Sequence, residues 1–144
     1  MKRILLVEDS RFMRAMNERA LVRAGYSVET ACDGEEALRL AFQRTPDLVL
    51  LDMLLPKLTG PEVLRSLRTN PLTARVPVIV LSSLPQKNEA QLKKDGATAY
   101  IDKSTLDPNA DSVIQIVAKT LNEQEPGNEF SKPAVSVLCR KGEK

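Results

Sequence analysis

A chain of 144 residues, 42% hydrophobic and 28% charged, is long enough for one domain with a full core and too short for two ordinary ones. That composition excludes a wholly disordered polymer, and a net charge of +2 with 3% aromatics and no Trp offers neither a basic surface nor stacking side chains for direct nucleic-acid binding. With no His, and with Cys32 and Cys139 far apart, a zinc site and a His-based triad are excluded, and reduced thiols are expected.

The elements follow from two alternating periodicities across the first 122 residues. The opening "MKRILLVEDS" is too short in apolar residues for a secretory or membrane segment, so a cytoplasmic chain with no membrane partner is expected. Ile4 to Val7 reads as the first strand. Ser10 then caps a helix with Met13, Met16 and Ala20 on one face, ended by Gly25. Core packing is expected of the two methionines and exposure of Phe12. Tyr26 to Ala31 is a weaker, alternating strand. Asp33 with Glu36 makes a capping-box-like start for a helix holding Ala37, Leu38 and Ala41.

Leu48 to Leu51 is a third strand, and Pro61 suits the first turn of a helix with Val63, Leu64 and Leu67. Val76 to Leu81 is the fourth strand, Asn88 to Lys94 a weak polar helix stopped by Gly96, and Ala99 to Ile101 the fifth strand. A last helix from Ala110 to Leu121 repeats apolar residues at 110, 113, 114, 117 and 121. Strands alternating with helices in this way predict a parallel α/β sheet. After residue 122 the composition shifts, with Pro126-Gly127 as a breaker. Residues 123–144 are expected to be a flexible tail or the stub of a linker, the alternative being that "AVSVLC" (Ala134 to Cys139) is a strand or docking segment, or the stub of a further domain.

In an open parallel sheet, ligands bind beyond the carboxyl ends of the strands. The polar residues interrupting the apolar runs fall there: Glu8 and Asp9 after the first strand, Asp52 after the third, Ser82 and Ser83 after the fourth, Lys103 after the fifth. Three converging carboxylates repel, each pair by roughly 3 kcal/mol at about 5 Å and an effective dielectric near 20. A cation is therefore required, and an all-oxygen donor set suits magnesium. Three acids, one lysine and one divalent ion sum to zero, leaving room for a phosphoryl group held by shared coordination and by the Ser82 hydroxyl.

The acid pair in "ILLVEDS", Asp52 in "LVLLDMLLPKLTG", the "PVIVLSS" strand and "GATAYIDKS" together resemble the receiver domain of bacterial two-component response regulators, over residues 1–122. The resemblance implies a flavodoxin-like (βα)5 doubly wound sandwich, with a five-stranded parallel sheet and helices on both faces. It implies that Asp52 is the phospho-acceptor, a nucleophile toward a phosphohistidine. Glu8, Asp9, Asp52 and the backbone carbonyl of Leu54 would hold Mg²⁺ or Mn²⁺, Asp9 directly and Glu8 through water. Lys103 matches the lysine that pairs with the phosphoryl group, Ser82 the hydroxyl that hydrogen-bonds it, and Tyr100 the aromatic switch. Implied partners are a sensor histidine kinase or phosphotransfer protein, and a downstream protein at the face of the fourth helix, fifth strand and fifth helix. A homodimer is also compatible with the resemblance.

Two departures from the family pattern matter. Ser104 follows Lys103 where the family usually has a proline after a cis bond, so a trans Lys103-Ser104 bond is expected, cis costing about 2.5 to 4 kcal/mol before a non-proline. Leu54 and Leu84 stand two residues after Asp52 and Ser82 and flank the path of a hydrolytic water. Apolar groups there predict a long-lived phosphoryl state. Two other functions compete with a phosphorylation switch. One is a receiver-fold interaction module without phosphorylation, disfavoured because it has no electrostatic reason to keep three repelling acids. The other is an aspartyl-phosphate phosphatase, disfavoured because Leu54 stands where those enzymes place a second acid. The chain is thus expected to be a regulator rather than an enzyme, phosphorylating and dephosphorylating only itself.

Overall fold

A computed structural model describes residues 1–82, 89–103 and 111–124 of the chain. Its elements are β1 (Arg3–Val7), α1 (Arg11–Arg23), β2 (Ser27–Ala31), α2 (Gly34–Gln43), β3 (Leu48–Asp52), α3 (Gly60–Thr69), β4 (Val78–Ser82), α4 (Glu89–Lys94), β5 (Ala99–Asp102) and α5 (Asp111–Gln124). The strands form one parallel sheet in the order β2-β1-β3-β4-β5. This is the flavodoxin-like (βα)5 arrangement expected from the sequence, with its switch point between β1 and β3.

The continuous apolar runs are the strands buried on both faces. In β3 and β4 every residue is buried, whereas the alternating β2 lies at a sheet edge and is only partly covered. Successive residues of the inner strands feed two cores. Leu5, Val7, Val49, Leu51, Val78 and Val80 pack with Ala37, Ala41, Val63, Leu64 and Leu67 of α2 and α3. Ile4, Leu6, Leu48, Leu50, Ile79 and Leu81 pack with Leu21 of α1 and with Val113, Val117 and Leu121 of α5. One helix pair therefore covers each face, and the strand ends stay open.

Several element ends differ from the sequence expectation, each for a local reason. Tyr26 belongs to the cap of α1 rather than to β2. Its N–H donates to Leu21 O and that of Gly25 to Val22 O, a Schellman closure that places Gly25 at φ 101°. Val76 and Pro77 precede β4 instead of opening it: Val76 O accepts from Arg68 Nη1 at 2.6 Å, and Pro77 has no N–H for a ladder. Arg68 Nε also donates to Gly96 O, tying the end of α3 to the turn after α4. Glu36 does cooperate with the Asp33 cap, but its carboxylate takes the N–H of Cys32, one residue before the expected position.

The inward face of α1 is the main correction within a helix. Met13, Met16 and Ala20 are half-buried, while the fully buried residues are Asn17 and Leu21, with Phe12 75% exposed. Periodicity at three and four residues fits 13, 17 and 21 equally well, but a polar Asn at the centre hid that stripe. Helix α5 runs past Leu121 to Gln124, and α4 begins its described span at Glu89. Ser83, Leu84, Asn88, Ser104 and Ala110 lie outside the described residues, as does the segment 125–144 that holds "AVSVLC".

Candidate functional site

The parallel sheet brings the ends of β1, β3, β4 and β5 to one edge, and with them the polar residues singled out in the sequence. Glu8 and Asp9 follow β1, Asp52 and Ser82 are the last residues of β3 and β4, and Lys103 follows β5. Glu8, Asp9 and Asp52 each offer a carboxylate oxygen, and these oxygens all lie within 4.8 Å of one another. Burial separates the three: Glu8 is 0% and Asp52 4% exposed, whereas Asp9 faces solvent. The isolated charge in the apolar run of β3 is thus one member of a set.

Lys103 supplies the cation. Its ammonium stands 2.9 Å from Glu8 Oε1 and 3.0 Å from Asp52 Oδ2. The contact with Asp52 is a directed hydrogen bond, whereas Glu8 Oε1 has, among the described residues, only the ion pair and no aligned donor. The remaining oxygens are held by backbone: Ser10 N–H donates to Glu8 Oε2 at 3.1 Å, and Leu54 N–H to Asp52 Oδ1 at 3.2 Å.

The electrostatics follow from this packing. Burial pushes the Glu8 carboxyl up to about 7, and the neighbouring Asp52 adds to the rise, while Lys103 and the Ser10 N–H oppose it. Burial pulls the Lys103 ammonium down, yet the two carboxylates more than reverse that and leave it raised. One lysine does not neutralise three acids. The hard oxygen donors, their close spacing and the buried Glu8 Oε1 without an aligned donor suit an oxygen-seeking divalent cation.

The loop after β3 is rigidly founded. Thr59 and Glu62 form a capping box at the start of α3, and Gly60 N–H donates to Met53 O at 3.0 Å. A Cβ on Gly60 would fall 2.6 Å from Met53 Cα, so only glycine permits this close return of the chain beside Asp52. Lys57, at φ 70°, reaches Asp33 and Glu35 at the start of α2. Leu54 projects from this loop with 57% exposure beside the Asp52 carboxylate. Ser82 is buried, and Tyr100 on β5 is half-buried against the core beneath α2 and α3.

One site contact was not foreseen. Arg14, on the first turn of α1, donates from Nη1 to the carbonyl oxygens of Glu8 and Asp9 at 2.9 and 3.4 Å. The available signal was a basic residue one turn beyond the Ser10 cap, but it was indistinguishable from a solvated helix face.

An acid cluster and one lysine stand at the switch point of a 2-1-3-4-5 parallel sheet, where open α/β sheets bind their ligands, and the three carboxylates could hold a metal ion. The response regulator receiver domain model matches residues 4–122, and the chain belongs to that family, the receiver domains of two-component systems. It is 42% identical over 137 residues to "Response regulator MprA" of Mycobacterium sp. (strain KMS), covering 94% of this chain and 57% of that protein. It is 48% identical over 106 residues to a "Gliding motility regulatory protein" of Myxococcus xanthus, covering 72% of this chain and 14% of that protein. The chain thus spans little more than half, at most, of the length of these curated relatives.

Among solved structures it resembles the chemotaxis protein CheY4 of Vibrio cholerae, with a TM-score of 0.76 and 30% identity over 83% of this chain and 98% of that one. It also resembles the receiver domain of the Pseudomonas aeruginosa sensor histidine kinase PA1611. The TM-score there is 0.74 with 30% identity over 83% of this chain and 97% of that one, and that structure has magnesium coordinated in its active-site cleft. No helix among the described residues is long and apolar enough to cross a membrane.

Proposed function

We propose that this chain is a phosphorylation switch in which Asp52 accepts a phosphoryl group from the phosphohistidine of a sensor kinase or phosphotransfer protein. The observation that carries this reading is the contact of Lys103 with both Glu8 and Asp52 inside the acid cluster. A buried aspartate held by a backbone N–H on one oxygen and an ammonium on the other is an oriented nucleophile. An Asp52 oxygen attacks phosphorus in line, the P–N bond breaks, and the electron pair returns to the imidazole, which takes up a proton. Lys103 then pairs with a phosphoryl oxygen, and the Ser82 hydroxyl donates to another.

Glu8, Asp9, Asp52 and the carbonyl of Leu54 would hold Mg²⁺ or Mn²⁺, which when bound neutralises charge on the transferring group. Everything else is positioning by the protein's own residues. Displacement of Lys103 from Glu8 on phosphorylation, with rearrangement of Ser82 and the half-buried Tyr100, shifts the population of the α4-β5-α5 face. That face is the reading's downstream binding surface, in a cytoplasmic protein, with no turnover of an external substrate.

Incubation with acetyl phosphate and Mg²⁺ tests the proposal. A stable mass gain of about 80 Da, absent in Asp52→Asn, is expected. Continuous phosphate release would indicate an aspartyl-phosphate phosphatase instead, and absence of any adduct in the native chain would indicate a constitutive interaction module.

A further inference from the structure

The three acids of the site are not held alike. Glu8 is fixed by the Ser10 N–H and Lys103, and Asp52 by the Leu54 N–H and Lys103. The Asp9 carboxylate, exposed at the mouth, has no hydrogen bond or ion pair among the described residues. Its position is therefore set by its backbone. Among the described residues two side chains grip that backbone: Glu8, whose Oε2 takes the Ser10 N–H, and Arg14, whose Nη1 is shared between the Glu8 and Asp9 carbonyls of the two peptides that flank Asp9.

We propose that Arg14 is a positioning residue for the cation site: by holding the Glu8 and Asp9 carbonyls it fixes the peptide planes from which the untethered Asp9 carboxylate reaches the metal. The inference rests on the reading of the acid cluster as a metal site. Two properties of the side chain make it suited to the task. Guanidinium is planar and always charged, so one nitrogen can satisfy two carbonyls without competing protonation. Arg14 is also carried by α1, whose first turn is fixed by Ser10 accepting from the Met13 N–H, so the clamp stands on a rigid element rather than a loop.

Charge and geometry make opposite predictions here, and that makes the inference testable. A guanidinium near a cation site repels the cation, so if Arg14 acted only through charge, its removal would tighten metal binding. If it acts by positioning, removal loosens binding, as loss of groups that orient metal ligands does.

Mn²⁺ serves as the probe, with free ion counted by its electron paramagnetic resonance signal during titration of the full chain. Arg14→Met is expected to raise the Mn²⁺ dissociation constant by about tenfold. Arg14→Lys, which keeps the charge and one mobile donor, should restore part of that loss. Arg3→Met is the control for general loosening. Arg3 makes the same kind of contact, to the carbonyls of Arg44 and Thr45, but at the opposite edge of the sheet, and its replacement should leave the Mn²⁺ constant unchanged.

A constant for Arg14→Met within twofold of the native value, or a tighter one, overturns the inference. So does an equal loss in Arg3→Met. If Arg14→Met does not fold, Arg14→Lys decides alone, and native-like affinity in it counts against the inference. The underlying metal reading fails separately: in that case the native chain does not bind Mn²⁺, or binds it equally well as Asp9→Asn, and the positioning role falls with it.

Discussion

Replacing Lys103 by methionine keeps much of the side chain's length and removes the cation shared by two buried carboxylates, Glu8 and Asp52. Deleting one partner of a buried ion pair costs about 3–5 kcal/mol because the remaining charge has no compensation. Lys103 is 18% exposed and Glu8 can escape by binding a proton, so the lower figure applies, about 3 kcal/mol at pH 8 in EDTA. The pH dependence has a definite sign. Glu8 titrates near 7 in the folded chain against an ordinary 4.5, so the folded state holds the proton more tightly. Unfolding free energy therefore falls as pH rises from about 4.5 toward 7 and flattens above it.

Without Lys103 the Glu8 carboxyl rises further and the fall extends to higher pH. The destabilisation caused by the substitution is then about 1 kcal/mol greater at pH 8 than at pH 6, one pKa unit being 1.36 kcal/mol. Urea unfolding followed by far-UV circular dichroism measures this directly, since the chain has no Trp to follow. Adding Mg²⁺ should recover part of the loss by occupying the same carboxylates. A Lys103→Met chain that loses under about 1 kcal/mol, or the same amount at both pH values, would refute the electrostatic account.

Two further outcomes follow from single side chains. Leu54→Asn places a water-orienting amide beside Asp52 and should speed loss of the phosphoryl group about three- to tenfold, the equivalent of one hydrogen bond in the transition state. Decay of the phosphorylated mass at fixed Mg²⁺ reads it, and an unchanged rate counts against a shielding role for the leucine. Asn17 is fully buried with neither amide atom hydrogen-bonded among the described residues, so Asn17→Leu should stabilise the fold by about 1–3 kcal/mol in urea. Loss of stability there would mean that the buried amide has a partner the native fold depends on.

Much of the fold is legible in the sequence because its signals are local. Runs such as Leu48 to Leu51 must be buried on both faces, and only a parallel sheet covered by helices does that. Caps at Ser10 and Asp33 and the stop at Gly25 depend on neighbours within four residues, so the chain declares them without its tertiary context. The carboxylates and Lys103 were equally readable, as polar residues ending apolar runs. Their convergence then follows from strand order alone.

Contacts made across the sheet edge and along α1 could be decided only by tertiary structure. That Lys103 spans Glu8 and Asp52 depends on how β5 stacks beside β4, and the pKa of Glu8 near 7 depends on its complete burial there. Asn17 reads as a surface residue by type yet is enclosed, because burial is a property of the packed face and not of the side chain. Arg14 reads as one more exposed base, and becomes a clamp only because α1 folds back over the carbonyls of the residues just before it. Local chemistry wrote the elements and the list of site residues. Long-range packing decided which of those charges touch and which are dry.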